Sequence, residues 1–144
     1  MEIRVWRPGD DARTHVAGIY REFGLAYDPG FEDDLEDVAA AYARGVFFVA
    51  EDAEGIVGTA AVAPNGGARV VKRMYVASRA RRAGLARALL ARCLAWGTPG
   101  PTELWSDVRF AGAHALYRSE GFIAGHCRVL DDPDRSVERY FRRP

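Results

Sequence analysis

Four arginines crowd one glycine in the middle of the chain: Arg79, Arg81, Arg82 and Arg87 stand around Gly84, with Ala86 two residues on. Guanidinium groups match phosphate oxygens through paired N–H donors. A helix opening at Gly84 would add backbone N–H groups without intrahelical partners, together with the partial positive charge of aligned peptide dipoles. An anion is stabilised at such an end. Glycine lets the backbone approach a phosphate closely, and Ala86 keeps the next turn slim. The stretch therefore suits the holding of a phosphate or pyrophosphate. It carries neither the Walker pattern nor the dinucleotide glycine fingerprint.

A second group of chemically capable side chains lies between residues 23 and 34, where Phe23, Tyr27 and Phe31 mix with Asp28, Asp33 and Asp34. Aromatic faces beside carboxylates would receive an amine carried on an apolar body. The same pattern describes an acidic helix start with aromatics packed under it, and both readings stand. The cysteines, Cys93 and Cys127, have no metal-ligand spacing. Cys93 falls on an apolar helix stripe and reads as core, while Cys127 has no activating partner in sequence and makes a poor nucleophile.

The elements that must position these residues follow from periodicity. EIRVW alternates as a half-buried strand, and Pro8-Gly9-Asp10 breaks it before a helix whose Val16, Ile19, Tyr20 and Phe23 share one face. His15 lies off that stripe and reads as a surface residue. Leu35, Val38, Ala39 and Tyr42 predict a second helix ending at Gly45, with Asp33 and Glu36 as a capping box. VFFVAED and IVGTAAVAP form a hairpin, PNGGA returns the chain to a strand from Arg69, and the three strands make an antiparallel meander. In the helix after Gly84, the residues Leu85, Ala86, Ala88, Leu89, Cys93 and Trp96 largely share a face. TELWSDV is a strand, Ala113, Leu116 and Tyr117 mark a short helix closed by Gly121, and FIAGHCRVL and SVERYFRR are two last strands.

Twenty basic residues balance twenty acidic ones, which gives no global attraction toward nucleic acid or an anionic membrane. The balance conceals an asymmetry: residues 1–64 hold thirteen acids against five arginines, and residues 65–144 hold seven acids against fifteen bases. A polyanionic ligand in the basic half, with a cationic one against the acidic half, would fit this; so would charge clusters that merely pair across the fold. No aromatics interleave the arginines at 79–87, as a nucleic-acid surface would require. Without a secretory signal or a long apolar run, a cytoplasmic setting is expected, with one domain over residues 1–144.

Arg81-Arg82-Ala83-Gly84-Leu85-Ala86 resembles the R/Q-x-x-G-x-G/A signature of the GNAT acyltransferase superfamily, with KRMYV in place as the preceding strand. AHALYRSEGF at 113–122 resembles the A-x-x-LY-x-x-x-GF helix that follows the family's fifth strand. The resemblance implies an α/β fold, a mixed and mostly antiparallel sheet flanked by helices in the order βααβββαβαββ. It implies acetyl-CoA as co-substrate, no metal, and transfer of an acetyl group to a primary amine. Arg81, Arg82, Ala83, Gly84, Leu85, Ala86 and Arg87 would hold the pyrophosphate, largely through backbone amides. Met74, Tyr75 and Val76 would pair with the pantetheine arm, one amide polarising the thioester carbonyl, while TELWSDV splays away to admit it.

Tyr117 matches the tyrosine that often protonates the departing thiolate. Its competing reading is a core tyrosine on its helix stripe. Relatives often carry glutamate where this chain has Val70, so the base that deprotonates the amine is open among Glu22, Asp28, Asp107, a water relay and no dedicated base. In the family, acceptor specificity comes from the region that here holds Phe23, Tyr27, Asp28 and Phe31, and from the PNGGA loop. A small amine is the expected acceptor; a protein N-terminus or lysine is the alternative, as is a non-catalytic acyl-CoA-binding module. A homodimer through an uncovered C-terminal strand is expected.

Overall fold

Small and β-branched residues run through the middle of the chain, and they build the centre of a twisted sheet in the computed structural model, which describes residues 1–144. The strands are β1 (Ile3–Val5), β2 (Val46–Asp52), β3 (Gly55–Asn65), β4 (Ala68–Val76), β5 (Thr102–Asp107), β6 (Ile123–Val129) and β7 (Val137–Arg143). The helices are α1 (Ala12–Glu22), α2 (Val38–Ala41), α3 (Leu85–Leu94) and α4 (Ala111–Ser119), with short 3-10 turns at Asp33–Leu35 and Ser78–Ala80. This is the expected order. The sheet runs β1-β2-β3-β4-β5-β7-β6, and all pairs are antiparallel except β4 with β5.

Alternate residues of β2 and β3 face opposite sides, so each sheet face has its own core. On one face Phe48, Ala60 and Val62 pack with Leu85, Leu89, Leu90 and Cys93 of α3 and with Tyr117, Phe122 and Phe141. On the other, Phe47, Val49 and Ala61 pack with Ala12, Val16, Leu35, Val38 and Tyr42. Leu89 and Leu90 are fully buried, each contributing about 1.5–3 kcal/mol by leaving water. Cys93 is buried beside them, and burial pushes its thiol up to about 12, which keeps it an inert core residue.

Strand β4 is irregular in two ways that open the sheet. Lys72 pairs with Ala61 and Tyr75 with Thr59, so β4 carries one extra residue in a bulge, with Arg73 at φ +56°. Thr59 Oγ1 donates to the Arg73 carbonyl at 2.7 Å and pins the bulge. A bulge bends its strand, and β4 pairs with β5 only at Arg69–Thr102 and Val70–Glu103 before the two part.

Several local expectations change. The second helix is a four-residue α2 capped by Asp37, whose side chain accepts from Ala40 N at 3.1 Å. The box between Asp33 and Glu36 does not form, because Leu35 turns inward through a 3-10 turn instead; Ala39 is exposed. In α1 the cap is Asp11 rather than the Pro8-Gly9-Asp10 break, since Asp10 is engaged by Arg4. Ala88 faces out and Leu90 takes its place in the core. His15 is 7% exposed, not a surface residue: its Nε2–H donates to the Tyr75 carbonyl at 3.2 Å, which gives the buried imidazole a partner. Strand β7 is not an edge, because it lies between β5 and β6.

Candidate active site

The end of β4 leads through the Ser78–Ala80 turn into a loop where Arg82 (φ +62°) and Gly84 (φ +78°) both adopt left-handed conformations before α3 begins. None of the backbone N–H groups from Arg82 to Arg87 finds an acceptor in the protein. Six consecutive donors at a helix start form an anion-binding concavity. A Cβ built on Gly84 meets nothing within 4 Å, so the space before the turn is open. Gly58 sets the position of α3: a Cβ there would lie 2.9 Å from Leu85 Cδ2 and 3.0 Å from Leu89 Cδ1, so its absence lets the first turn of α3 rest on β3.

The arginines divide. Arg79 is held by Asp52, Arg81 by Glu22 and the Val76 carbonyl, and Arg87 by Glu120. Arg82 is exposed and makes no ion pair. Free donors at this point thus belong mainly to the backbone.

Where β4 and β5 part, a cleft of about 390 Å³ opens through the sheet. Val70, Met74 and Tyr75 line one side, Leu104, Ser106 and Asp107 the other, and Tyr117 of α4 reaches it from the face that α3 covers. Tyr117 is 3% exposed and packs its ring on Phe122 and Phe141. It is therefore a core residue and a cleft residue at once. Burial pushes its phenol above the ordinary range, and the nearby Tyr75 adds to this, so the hydroxyl is a proton carrier at neutral pH.

On the opposite face the cleft is floored by a buried network. Arg73 Nε and Nη2 donate to Asp34 at 3.0 and 2.6 Å, and its Nη1 donates to Tyr20 Oη at 3.1 Å. Tyr20 donates to Glu32 at 3.0 Å, and Tyr42 donates to Asp34 at 2.6 Å. Burial opposes the charge on Asp34, yet the bonds from Arg73 hold its carboxyl below the ordinary value. Burial drives Glu32 the other way, above its ordinary value. Arg73, Glu32 and Tyr20 are functional candidates that sequence reading passes over. The only local signal is an arginine in mid-strand beside a neighbouring acid run.

Of the expected acceptor residues, Asp28 and Phe31 line the cleft, and Phe23 and Tyr27 do not. Phe23 ends α1 and is drawn under Arg81 and against Phe110, 4.7 Å between ring centroids. Tyr27 turns inward, its hydroxyl buried without a partner. Among the base candidates, Glu22 is taken by Arg81 and lies outside the cleft, while Asp107 lines it and accepts from Arg109 N at 2.8 Å. Met74 and Tyr75 line the cleft and Val76 does not. Cys127 is exposed on β6, away from the cleft. Across the cleft, Ala26 N donates to Asp134 Oδ2 at 2.7 Å and ties two of its walls, the α1–α2 and β6–β7 loops, together.

The family model described as acetyltransferase (GNAT) domain matches residues 43–124. No curated protein matches the chain. Among solved structures, a GNAT-family acetyltransferase from Staphylococcus aureus Mu50 is similar at a TM-score of 0.82 and 19% identity, over 99% of this chain and 97% of that one. A ribosomal-protein-alanine N-acetyltransferase from Brucella melitensis is similar at 0.72 and 18%, over 99% of each chain. A spermidine N-acetyltransferase variant from Vibrio cholerae is similar at 0.68 and 19%, over 99% and 94%. Likeness at these identities speaks for the fold.

Proposed function

The chain belongs to the GNAT acetyltransferase family and is an acyltransferase, and from that premise we propose that it moves an acetyl group from acetyl-CoA to the primary amine of a small cationic molecule, by direct attack on the thioester. The observation that carries the reading is the parting of β4 from β5, whose cleft lies one short loop upstream of six unpaired backbone donors. A pyrophosphate fits those donors, on Arg82, Ala83, Gly84, Leu85, Ala86 and Arg87, whereas Arg81, expected with them, has its N–H on the Ser78 carbonyl and its guanidinium on Glu22 and the Val76 carbonyl. The edge of β4 at Met74, Tyr75 and Val76 that β5 leaves suits an extended arm. Acetyl-CoA supplies an acetyl group activated as a thioester. Tyr117, uncharged and inside the cleft, gives its proton to the departing sulfur.

The sign of the acceptor follows from the lining. Eight acids (Asp28, Glu32, Asp33, Asp34, Asp107, Asp132, Asp134 and Glu138) face three bases (Lys72, Arg73 and Arg128), so the cleft favours a cation over a neutral amine. The Ala26–Asp134 bridge closes one approach, which supports a small acceptor over a long peptide. The 144 residues act as one catalytic domain. A reducing compartment such as the cytoplasm suits the exposed thiol of Cys127. A homodimer, expected through the C-terminal strand that turns out to lie inside the sheet, would form instead through β6, one of the two edge strands, where Ile123 and Val129 are exposed.

Acetyl-CoA is expected to raise the melting temperature, since the donors converge only in the folded chain. A mass-spectrometric screen of amines with acetyl-CoA is expected to return diamines or other polycations ahead of neutral amines. No shift at millimolar acetyl-CoA would sink the cofactor assignment, and preference for a peptide N-terminus would sink the small-amine one.

A further inference from the structure

Three proton-bearing groups from separate segments line the acceptor side of the cleft: Tyr75 on β4, Tyr20 on α1, and Glu32 just before the Asp33–Leu35 turn. Tyr20 Oη lies 3.0 Å from Glu32 Oε1 and 3.4 Å from Tyr75 Oη. Arg73 Nη1 donates to the same Tyr20 oxygen at 3.1 Å. Arginine is a donor only and an ionised carboxylate an acceptor only, so the Tyr20 proton points at Glu32. That leaves the remaining lone pair of Tyr20 for the Tyr75 hydroxyl. Every donor in the line then points the same way, from Tyr75 through Tyr20 to Glu32. The Asp28 N–H fixes the far carboxylate oxygen at 3.1 Å.

We propose that this line carries the proton away from the attacking amine, with Glu32 as its terminal acceptor. The inference rests on the acyl-transfer reading above. The ammonium nitrogen gives one proton to Tyr75 as Tyr75 passes its own to Tyr20 and Tyr20 passes its own to Glu32. As the new N–C bond forms and the C–S bond breaks, Tyr117 protonates the sulfur. The second proton lost by nitrogen restores Tyr117, and the proton on Glu32 leaves to solvent, so one proton is released per acetyl group transferred.

Glu32 suits the task because of what surrounds it. The groups facing it are Tyr20 from α1, Arg73 from β4, and Tyr27, Asp28 and Asp34 from its own segment. Arg73 is the one cation among them, and it is bound twice by Asp34 while standing 3.9 Å from Glu32. Asp34 thus absorbs most of that positive charge. The Glu32 carboxylate is left buried and more basic than a surface glutamate. Val70 puts no carboxylate on β4, and the carboxylate that acts on Tyr75 from β7, Glu138, is already engaged by Arg128 at 3.0 and 2.8 Å.

The test uses the full chain with the best amine from the screen, following kcat and KM against pH. A base works when ionised, so wild-type kcat/KM should fall as pH drops through an apparent pKa above the ordinary glutamate value. Glu32→Gln should lower kcat by about 10²- to 10⁴-fold, leave KM within about threefold, and remove that acidic limb. Tyr20→Phe should act in the same direction while keeping the ring. Both variants should keep the acetyl-CoA melting shift, and Tyr20→Phe stands in should Glu32→Gln fail to fold. In the protein alone, NMR of ¹³C-labelled glutamate should show Glu32 titrating high, and higher again in Tyr20→Phe, which loses a bond that favours the carboxylate. A raised KM with unchanged kcat would make Glu32 an amine-binding group and overturn the relay, as would an unaltered pH profile. Should wild type turn over no amine, the acyl-transfer reading fails instead; the titration still decides, because a Glu32 indifferent to Tyr20→Phe overturns the line.

Discussion

Six consecutive backbone N–H groups, Arg82 to Arg87, make up one end of the proposed site, whereas side chains from well-separated segments, Tyr20, Glu32, Asp34, Arg73 and Tyr75, make up the other. The first end needs a conformation and hardly any particular side chain, for three of its four neighbouring arginines are already occupied by carboxylates. The second end needs particular side chains in contact and has little conformation of its own. A site made of backbone tolerates surface change and fails when its dihedrals are disturbed. A site made of buried charge fails when any one partner is removed.

The strongest way to break that contrast is at Gly84. Its φ of +78° is one that a side chain adopts only with strain, and the open space before it is where the phosphates would lie. Gly84→Glu adds strain, bulk and negative charge together. The acetyl-CoA melting shift should vanish altogether, with the free protein still folded by circular dichroism. Retention of the shift would mean that side chains, not backbone, hold the ligand.

Next in size is the buried cation. Arg73→Met leaves Asp34 and Glu32 without their guanidinium, and breaking a buried pair from one side costs about 3–5 kcal/mol. Urea unfolding should show that loss, and Arg73→Met combined with Asp34→Leu should recover part of it, since the stranded charge is then gone. A loss below about 1 kcal/mol would mean the pair is solvated and carries little structure.

Between the two ends stands Tyr117, which the sequence presents as either a catalytic phenol or core and the structure places in both settings. Tyr117→Phe keeps the ring against Phe122 and Phe141 and removes the hydroxyl. Turnover should fall about ten- to a thousandfold, or roughly 1.4–4 kcal/mol of barrier, with acetyl-CoA binding and melting temperature near wild type. Unchanged turnover with chemistry rate-limiting would pass the acid role to another group.

Legibility in the sequence divides along the same line. The order of elements, the loop at Gly84 and the helix bearing Tyr117 are legible, because each depends on periodicity or on a short run of residues. The parting of β4 from β5 comes from the family resemblance rather than from any residue. The Arg73 bulge has no glycine to announce it, since tertiary bonds from Thr59 and Asp34 hold a non-glycine residue at positive φ. Glu32 is hidden among acids of identical composition, and only its contact with Tyr20 sets it apart. His15 and Phe23 mislead because helical spacing fixes a face without saying what the neighbouring strand offers that face. For His15 the offer is the Tyr75 carbonyl, and for Phe23 it is an aromatic partner.

The smallest effect belongs to the backbone end. Arg82 is the one arginine of the cluster without an ion pair; it is exposed, and its own N–H is the first of the free donors. An exposed charge contact contributes about 0.5–1 kcal/mol, which corresponds to about a two- to fivefold change in affinity. Arg82→Ala should therefore weaken acetyl-CoA by about that factor in isothermal titration, and less at high salt, where exposed charges are screened. Arg79→Ala is the control, because Arg79 is bound to Asp52 on the β2–β3 hairpin and should leave affinity unchanged. If Arg82→Ala instead abolished binding, the ligand would hang on that one guanidinium, and the row of backbone donors would be incidental. If both substitutions weakened binding alike, the arginines would act as a diffuse positive field, with no role for the ion pairs that divide them.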